Sequence, residues 1–196
     1  MILFGHPFSS YTWKALIPLH EKELECDFRN VDPEFPDHGG QLAAAWPLGK
    51  FPVLVDAGQT IAESSVIIEH LDLHHPGARM IPADPVAALA VRFMDRIFDN
   101  HVMSPMQAIV NEHLPFITEQ PDSARVARAR AALDTSYAWL ETRLATDGWA
   151  VGGSFTLADC AAAGCMPTDT DAANAKHALK PTGARPVLNF KRKRCM

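Results

Sequence analysis

Two segments hold residue types able to grip a small anionic ligand. Gly49-Lys50-Phe51-Pro52-Val53-Leu54-Val55 reads as a strand with a proline near its start, and Ala62-Glu63-Ser64-Ser65 reads as the opening of a helix. Proline cannot donate a ladder hydrogen bond, so it sits at strand starts or edges. With a cis Phe51–Pro52 bond, the Val53 backbone turns outward, where its N–H and C=O can pair with an extended peptide-like ligand as an added strand would. Ser64 and Ser65 at a helix start offer hydroxyls, backbone N–H groups and the positive dipole end to a carboxylate. Together these features describe a receptor for a small acidic peptide. The plainer alternative is a strand–turn–helix whose helix start is merely capped.

Three other groupings favour a plain reading. His70 and His74 stand four apart on a helix, a spacing that suits a metal, but no His-Glu-x-x-His pattern accompanies them. A solvated face is expected, and no metal. Cys26 begins a strand and is expected to be buried. Asp95 and Asp99 are read as domain-interface or salt-bridge partners rather than an acid/base pair.

The elements that must position these residues follow from periodicity and breakers. Ile2-Leu3-Phe4-Gly5 is a short buried strand, and His6 to Ser10 a loop. A helix from about Tyr11 to Lys22 contains Pro18, which should kink or shorten it. Cys26 to Val31 alternates like a half-buried strand. Asp32 to Gly40, with two prolines and Gly39-Gly40, is expected to be a mobile loop, followed by a short helix over Gln41 to Ala45. Phe51–Asp56 and Gln59–Ala62 form a hairpin around Ala57-Gly58, and a helix runs from Ser64 to His74. His75 to Pro85 is a linker. Beyond it, Val86–Glu112, broken or bent near Pro105, and Pro121–Ala145 are helical. Thr156 and Asp159 have the spacing of an N-cap and its reciprocal partner.

The bulk properties of the 196 residues are those of a globular protein: 47% apolar and 21% charged. No apolar run is long enough to span a bilayer, and the first residues lack a signal peptide's basic start and cleavage site. Four scattered cysteines, Cys26, Cys160, Cys165 and Cys195, indicate neither a disulfide framework nor a zinc knuckle. A cytoplasmic location is expected. The net charge of −5 argues against nucleic acid as a partner.

The Pro52 region, Glu63-Ser64 and the stretch from Trp149 to Asp159 resemble the cytosolic glutathione S-transferases, in particular bacterial, serine-type members of theta or zeta character. The resemblance spans about residues 1–163. It implies a thioredoxin-like α/β domain of order βαβαββα over 1–75, a linker over 76–85 and an all-α domain over 86–163. It also implies glutathione as co-substrate, a homodimer and a role in detoxification. Lys50, Phe51, Pro52, Val53, Glu63 and Ser64 would hold glutathione, with His38 and Gln41 reaching its glycyl carboxylate. Transfer needs a thiolate, whose thiol is mostly protonated near neutral pH. A hydroxyl beside the sulfur at a helix start stabilises the anion. Ser9 matches that position, with Ser10 the runner-up and Tyr11 also within reach; either serine can equally be a simple N-cap. Phe8, Tyr11, Phe98, Val102 and Met106 would receive a small apolar electrophile, although such residues at helical spacing are more often core.

After Ala163 the resemblance stops. Residues 164–196 hold seven Lys/Arg against two Asp and several helix breakers, so an irregular, divergent tail is expected. A reading-frame change near Ala163 is favoured over a genuine basic terminus. A shortened helical domain would leave glutathione binding intact while impairing the second site. The expected function is thiol transfer by conjugation, isomerisation or dehalogenation; the rival is a non-catalytic binding or regulatory protein of the same fold.

Overall fold

The computed structural model describes residues 1–115, 117–144 and 148–165. The first half is a four-stranded sheet of β1 (Ile2–Gly5), β2 (Asp27–Asn30), β3 (Val53–Asp56) and β4 (Gln59–Ala62), in the order β2-β1-β3-β4. β1 and β2 are parallel because α1 (Ser10–Glu21) crosses between them, whereas β3 runs antiparallel to β1 and to β4. Side chains alternate across the strands. Leu3, Leu54 and Ile61 therefore face α1 and α3 (Ser64–His74), meeting Ala15, Leu19, Ile67 and Leu71. Phe4 and Val53 point to the other face, where Leu42 of α2 (Pro36–Ala45) covers them. β3 and β4 meet at Ala57-Gly58, whose positive φ values of 47° and 80° suit a two-residue hairpin turn.

Two expectations fail here. The stretch from Asp32 to Gly40 is not all loop, since α2 begins at Pro36 and carries Gly39 and Gly40 inside it. Proline is pre-set for the first helical turn, where its missing N–H costs nothing. Cys26 is half-buried rather than buried. Pro18 stays inside α1 without ending it.

The second half is helical: α4 (Pro85–Ile97), a π-helical turn over Phe98–Met103, α5 (Ser104–Glu112), α6 (Ser123–Glu141) and α7 (Leu157–Gly164). The bend anticipated at Pro105 takes the form of that π turn. Pro105 has no N–H for the preceding turn, and the ladder widens upstream, with the Ser104 N–H reaching back to the Asp99 carbonyl. α7 packs through α1, where Gly164 lies so close that a Cβ would stand 2.9 Å from the Ser10 carbonyl oxygen. Its start is held by the expected capping box. Asp159 Oδ2 accepts from the Thr156 N–H at 2.9 Å, and Asp159 Oδ1 from the Ala150 N–H at 2.7 Å. The linker is anchored as well: Asp72 accepts from the Met80 and Ile81 N–H groups, and the Met80 carbonyl accepts from Leu157. Among the described residues no helix is long and apolar enough to cross a membrane. The tail from Met166 onward lies outside the described residues.

Candidate functional site

The two halves meet over a buried ionic cluster. Lys14 of α1 is 1% exposed. Its ammonium donates to both Asp99 carboxylate oxygens, at 2.8 and 2.7 Å, and to Ser65 at 3.0 Å. Asp95 Oδ1 also lies 2.6 Å from it, in ion-pair contact but without hydrogen-bond alignment. Arg96 closes the cluster from the solvent side, donating to Asp99 at 2.7 Å and pairing with Asp95 and Ser65. Burial pushes the Asp99 carboxyl up, against the opposing pull of the Lys14 charge. Asp95 and Asp99 are thus ion-pair partners at the interface, as their context suggested. Lys14, the partner that makes them so, carries no sequence signal beyond its helical position.

Above this cluster lies a cavity of about 630 Å3. It gathers Lys50, Phe51, Pro52, Glu63, Ser64 and Ser65 with Tyr11, all drawn from the sequence reading, and adds Trp46, Arg92 and Asn100. The Phe51–Pro52 peptide is cis. Glu63 joins β4 to α3 with φ 69° and ψ 121°, a strained conformation for a residue with a Cβ. It makes no side-chain cap for α3. The orphan N–H groups of the first turn, the Ser64 hydroxyl and the helix dipole are therefore left to whatever enters the cavity.

The remaining candidates fall elsewhere. Ser9 is the N-cap of α1, its Oγ accepting from the Thr12 N–H at 3.2 Å, and Ser10 is the first helical residue. Burial together with Asp99 pushes the Tyr11 pKa up to about 12, against a smaller opposing pull from Ser104. Phe8 is 77% exposed, on a loop tied by Trp13 Nε1 donating to the Pro7 carbonyl at 2.7 Å. Phe98 and Val102 belong to the helical core, at 1% and 2% exposure, and as placed offer a ligand no surface. The reason is that they face α7 and its neighbours inside the bundle. Met106 is half-buried against that core. His38 stacks on Phe35, with its Nδ1 2.9 Å from the Asn30 carbonyl, and Gln41 pairs with Arg29; neither lines the cavity.

The comparisons with known proteins agree with this geometry. Residues 3–79 match the glutathione S-transferase N-terminal domain profile, and residues 123–167 the C-terminal domain profile. The chain is 30% identical over 164 residues to the uncharacterized GST-like protein YibF of Escherichia coli, covering 83% of this chain and 79% of YibF. The chain belongs to the glutathione S-transferase family. A glutathione S-transferase of Methylobacillus flagellatus, solved with glutathione bound, superposes with a TM-score of 0.72 at 32% identity, covering 84% of this chain and 80% of that one. A probable maleylacetoacetate isomerase of Caenorhabditis elegans is 33% identical over 85 residues, 43% of this chain and 40% of its own length. The fold is a thioredoxin-like sheet followed by a helical domain. The chain is a glutathione transferase, and glutathione is its co-substrate.

Proposed function

We propose that the chain activates the glutathione thiol at Ser9 and directs it at a small apolar electrophile. The carrying observation is the uncapped start of α3 beside Lys50, Phe51 and Pro52 in a single cavity. Residues 1–75 act as the glutathione domain and residues 86–163 as the helical domain, joined by 76–85. The γ-glutamyl end of glutathione rests on Glu63 and Ser64, and its cysteinyl backbone on Val53. Ser9 can serve two roles at once. Its oxygen already accepts from Thr12, while its O–H remains a donor for the sulfur. The thiol gives its proton to water, Ser9 donates to the resulting thiolate, and in conjugation the thiolate forms the S–C bond as the electrophile's leaving group departs with the electron pair. Isomerisation and dehalogenation start from the same thiolate, so the residues above do not separate them. Phe8, Tyr11 and Met106 are the expected electrophile contacts that keep exposed surface.

The apolar surface of Val66, Leu89 and Phe93 on α3 and α4 is 53%, 67% and 50% exposed and would be covered in a homodimer. Sedimentation at micromolar concentration should give twice the chain mass; a monomer refutes the dimer. A cytoplasmic detoxifying role completes the reading.

The test is turnover of an aromatic halide by the wild type, Ser9→Ala and Ser10→Ala, beside retention on immobilised glutathione. Turnover lost in Ser9→Ala with retention intact supports the assignment. The second reading, glutathione binding without catalysis, has one observation in its favour: Ser9 is engaged as a cap and does not line the cavity, whereas Tyr11 does. Retention without wild-type turnover on any of several electrophile classes would favour it.

A further inference from the structure

At the other end of β3 and α3, away from the cavity, three side chains converge. Asp56 closes β3 just before the hairpin turn, His70 lies on α3, and His75 is the residue at its C-terminal end. α3 has 11 residues. At 1.5 Å per residue, its His75 end stands about 15 Å from the Ser64 end that faces glutathione. His70 Nε2 is 3.0 Å and His75 Nε2 is 2.6 Å from the same oxygen, Asp56 Oδ2. The three donor atoms all lie within 4.8 Å of one another, and all three residues are half-buried. His75 reaches the site because its backbone turns extended on leaving the helix, with φ −126° and ψ 144°.

We propose that Asp56, His70 and His75 form a binding site for one divalent cation of the zinc type. A carboxylate that only accepts hydrogen bonds can offer a separate oxygen to each ring. Here both rings aim at one oxygen, which crowds three metal-ligating atoms around one point. A tetrahedral ion bound at about 2.0–2.2 Å needs donors roughly 3.3 Å apart. The 3.0 Å pair is near that spacing, and the 2.6 Å pair must open by about 0.7 Å. Two imidazoles and one carboxylate suit zinc, cobalt(II) or nickel(II) rather than calcium or magnesium. Water takes the fourth position. His74, exposed with its ring 4.4 Å from that of His70, is a neighbour and not a ligand. The role is structural: the ion would clamp the end of β3 to the end of α3. It is independent of the thiol chemistry.

The experiment uses the full chain without an affinity tag, stripped with chelator and titrated with CoCl2 and ZnCl2 in the absence of glutathione. Expected are one saturable equivalent, cobalt absorption bands of nitrogen–oxygen character without a thiolate charge-transfer band, and a rise in melting temperature with zinc. Asp56→Asn, His70→Ala and His75→Gln should each weaken binding by more than about ten-fold, and His74→Ala should not. Circular dichroism and retention on immobilised glutathione identify which variants are folded; the three ligand changes give independent routes should one misfold. Absence of saturable binding overturns the proposal, as do a thiolate band, binding unchanged in the folded ligand variants, or equal loss in His74→Ala. Because retention on glutathione is read separately, failure here leaves the transferase reading untouched, and the reverse holds too.

Discussion

The starts of α3 and α7 carry the same residue types, an acid and hydroxyls, in opposite order. At α7 the hydroxyl comes first and the acid three residues later. Asp159, 0% exposed, folds back onto the Thr156 N–H and hydroxyl and onto the Ala150 N–H. Every bond it makes is internal. At α3 the acid comes first, at the cap position itself, with φ 69° and no capping bond, and the hydroxyls follow inside the helix. Glutamate is one methylene longer than the residues that cap well. The first-turn donors stay open toward the cavity. One order closes its own helix start, and the other leaves the first-turn N–H groups without a side-chain cap beside the cavity.

The strongest way to break this contrast is Asp159→Ala. It strands a buried N–H, a partly buried N–H and a hydroxyl, so the urea midpoint should fall by the equivalent of about 3 kcal/mol with an unchanged slope. At low temperature, where the variant is folded, retention on glutathione should persist. A folded variant that no longer binds glutathione would show that α7 also serves the ligand.

The start of α1 stands between these two cases, because Ser9 caps the helix and still has a hydrogen to give. Ser9→Ala should lower turnover about 100-fold, the scale for loss of one donor to a developing anion, and cost about 1 kcal/mol of stability as a lost cap. Ser9→Asp separates the roles, since aspartate caps as well as serine but has no O–H. Stability should recover while turnover stays low. If turnover recovers with stability, Ser9 is only a cap.

Glu63→Gly should move two readouts in opposite directions. Glycine accepts φ 69° without strain, so the melting temperature should rise, offset in part by glycine's greater freedom in the unfolded chain. The lost carboxylate should raise the dissociation constant for glutathione about ten-fold, measured by calorimetry, which is one strong charged contact. A variant that is both more stable and equally tight would mean Glu63 is shaped for the turn and not for the ligand.

Much of this contrast was legible in the chain itself, since proline placement, helix starts and capping spacings are local. Thr156–Asp159 and Glu63-Ser64 are read within a few residues of themselves. The misses are of two physical kinds. Pro36 carries a breaker's signal in sequence, yet its fixed φ favours a first helical turn, and the two glycines behind it add to the loop-like signal although they lie inside α2. The others are long-range. Lys14 meets Asp99 across 85 residues of chain, and Asp56 meets His75 across 19. Helical spacing pairs His70 with His74 on a solvated face, while the fold joins His70 to Asp56 and leaves His74 exposed. Phe98 and Val102 had the right spacing for a pocket, but spacing alone does not distinguish the side of α4's continuation that faces α7.

The smallest effect is also the most discriminating. The acid limb of the kcat/KM profile reports ionisation of the thiol, ordinarily near pH 8.5 and lower where a donor holds the anion. Removing that donor raises the thiol pKa, so Ser9→Ala should shift the limb to higher pH by up to about one unit, or 1.4 kcal/mol. The variant and wild-type rates should then draw closer as pH rises. Tyr11 has a pKa of about 12 and stays protonated through the assay range, so it contributes no limb of its own. Tyr11→Phe should therefore leave the limb in place even if it changes KM for the electrophile. Should Tyr11→Phe move the limb while Ser9→Asp does not, the sulfur faces the tyrosine. The start of α1 would then belong with α7, as a helix end that serves only the fold.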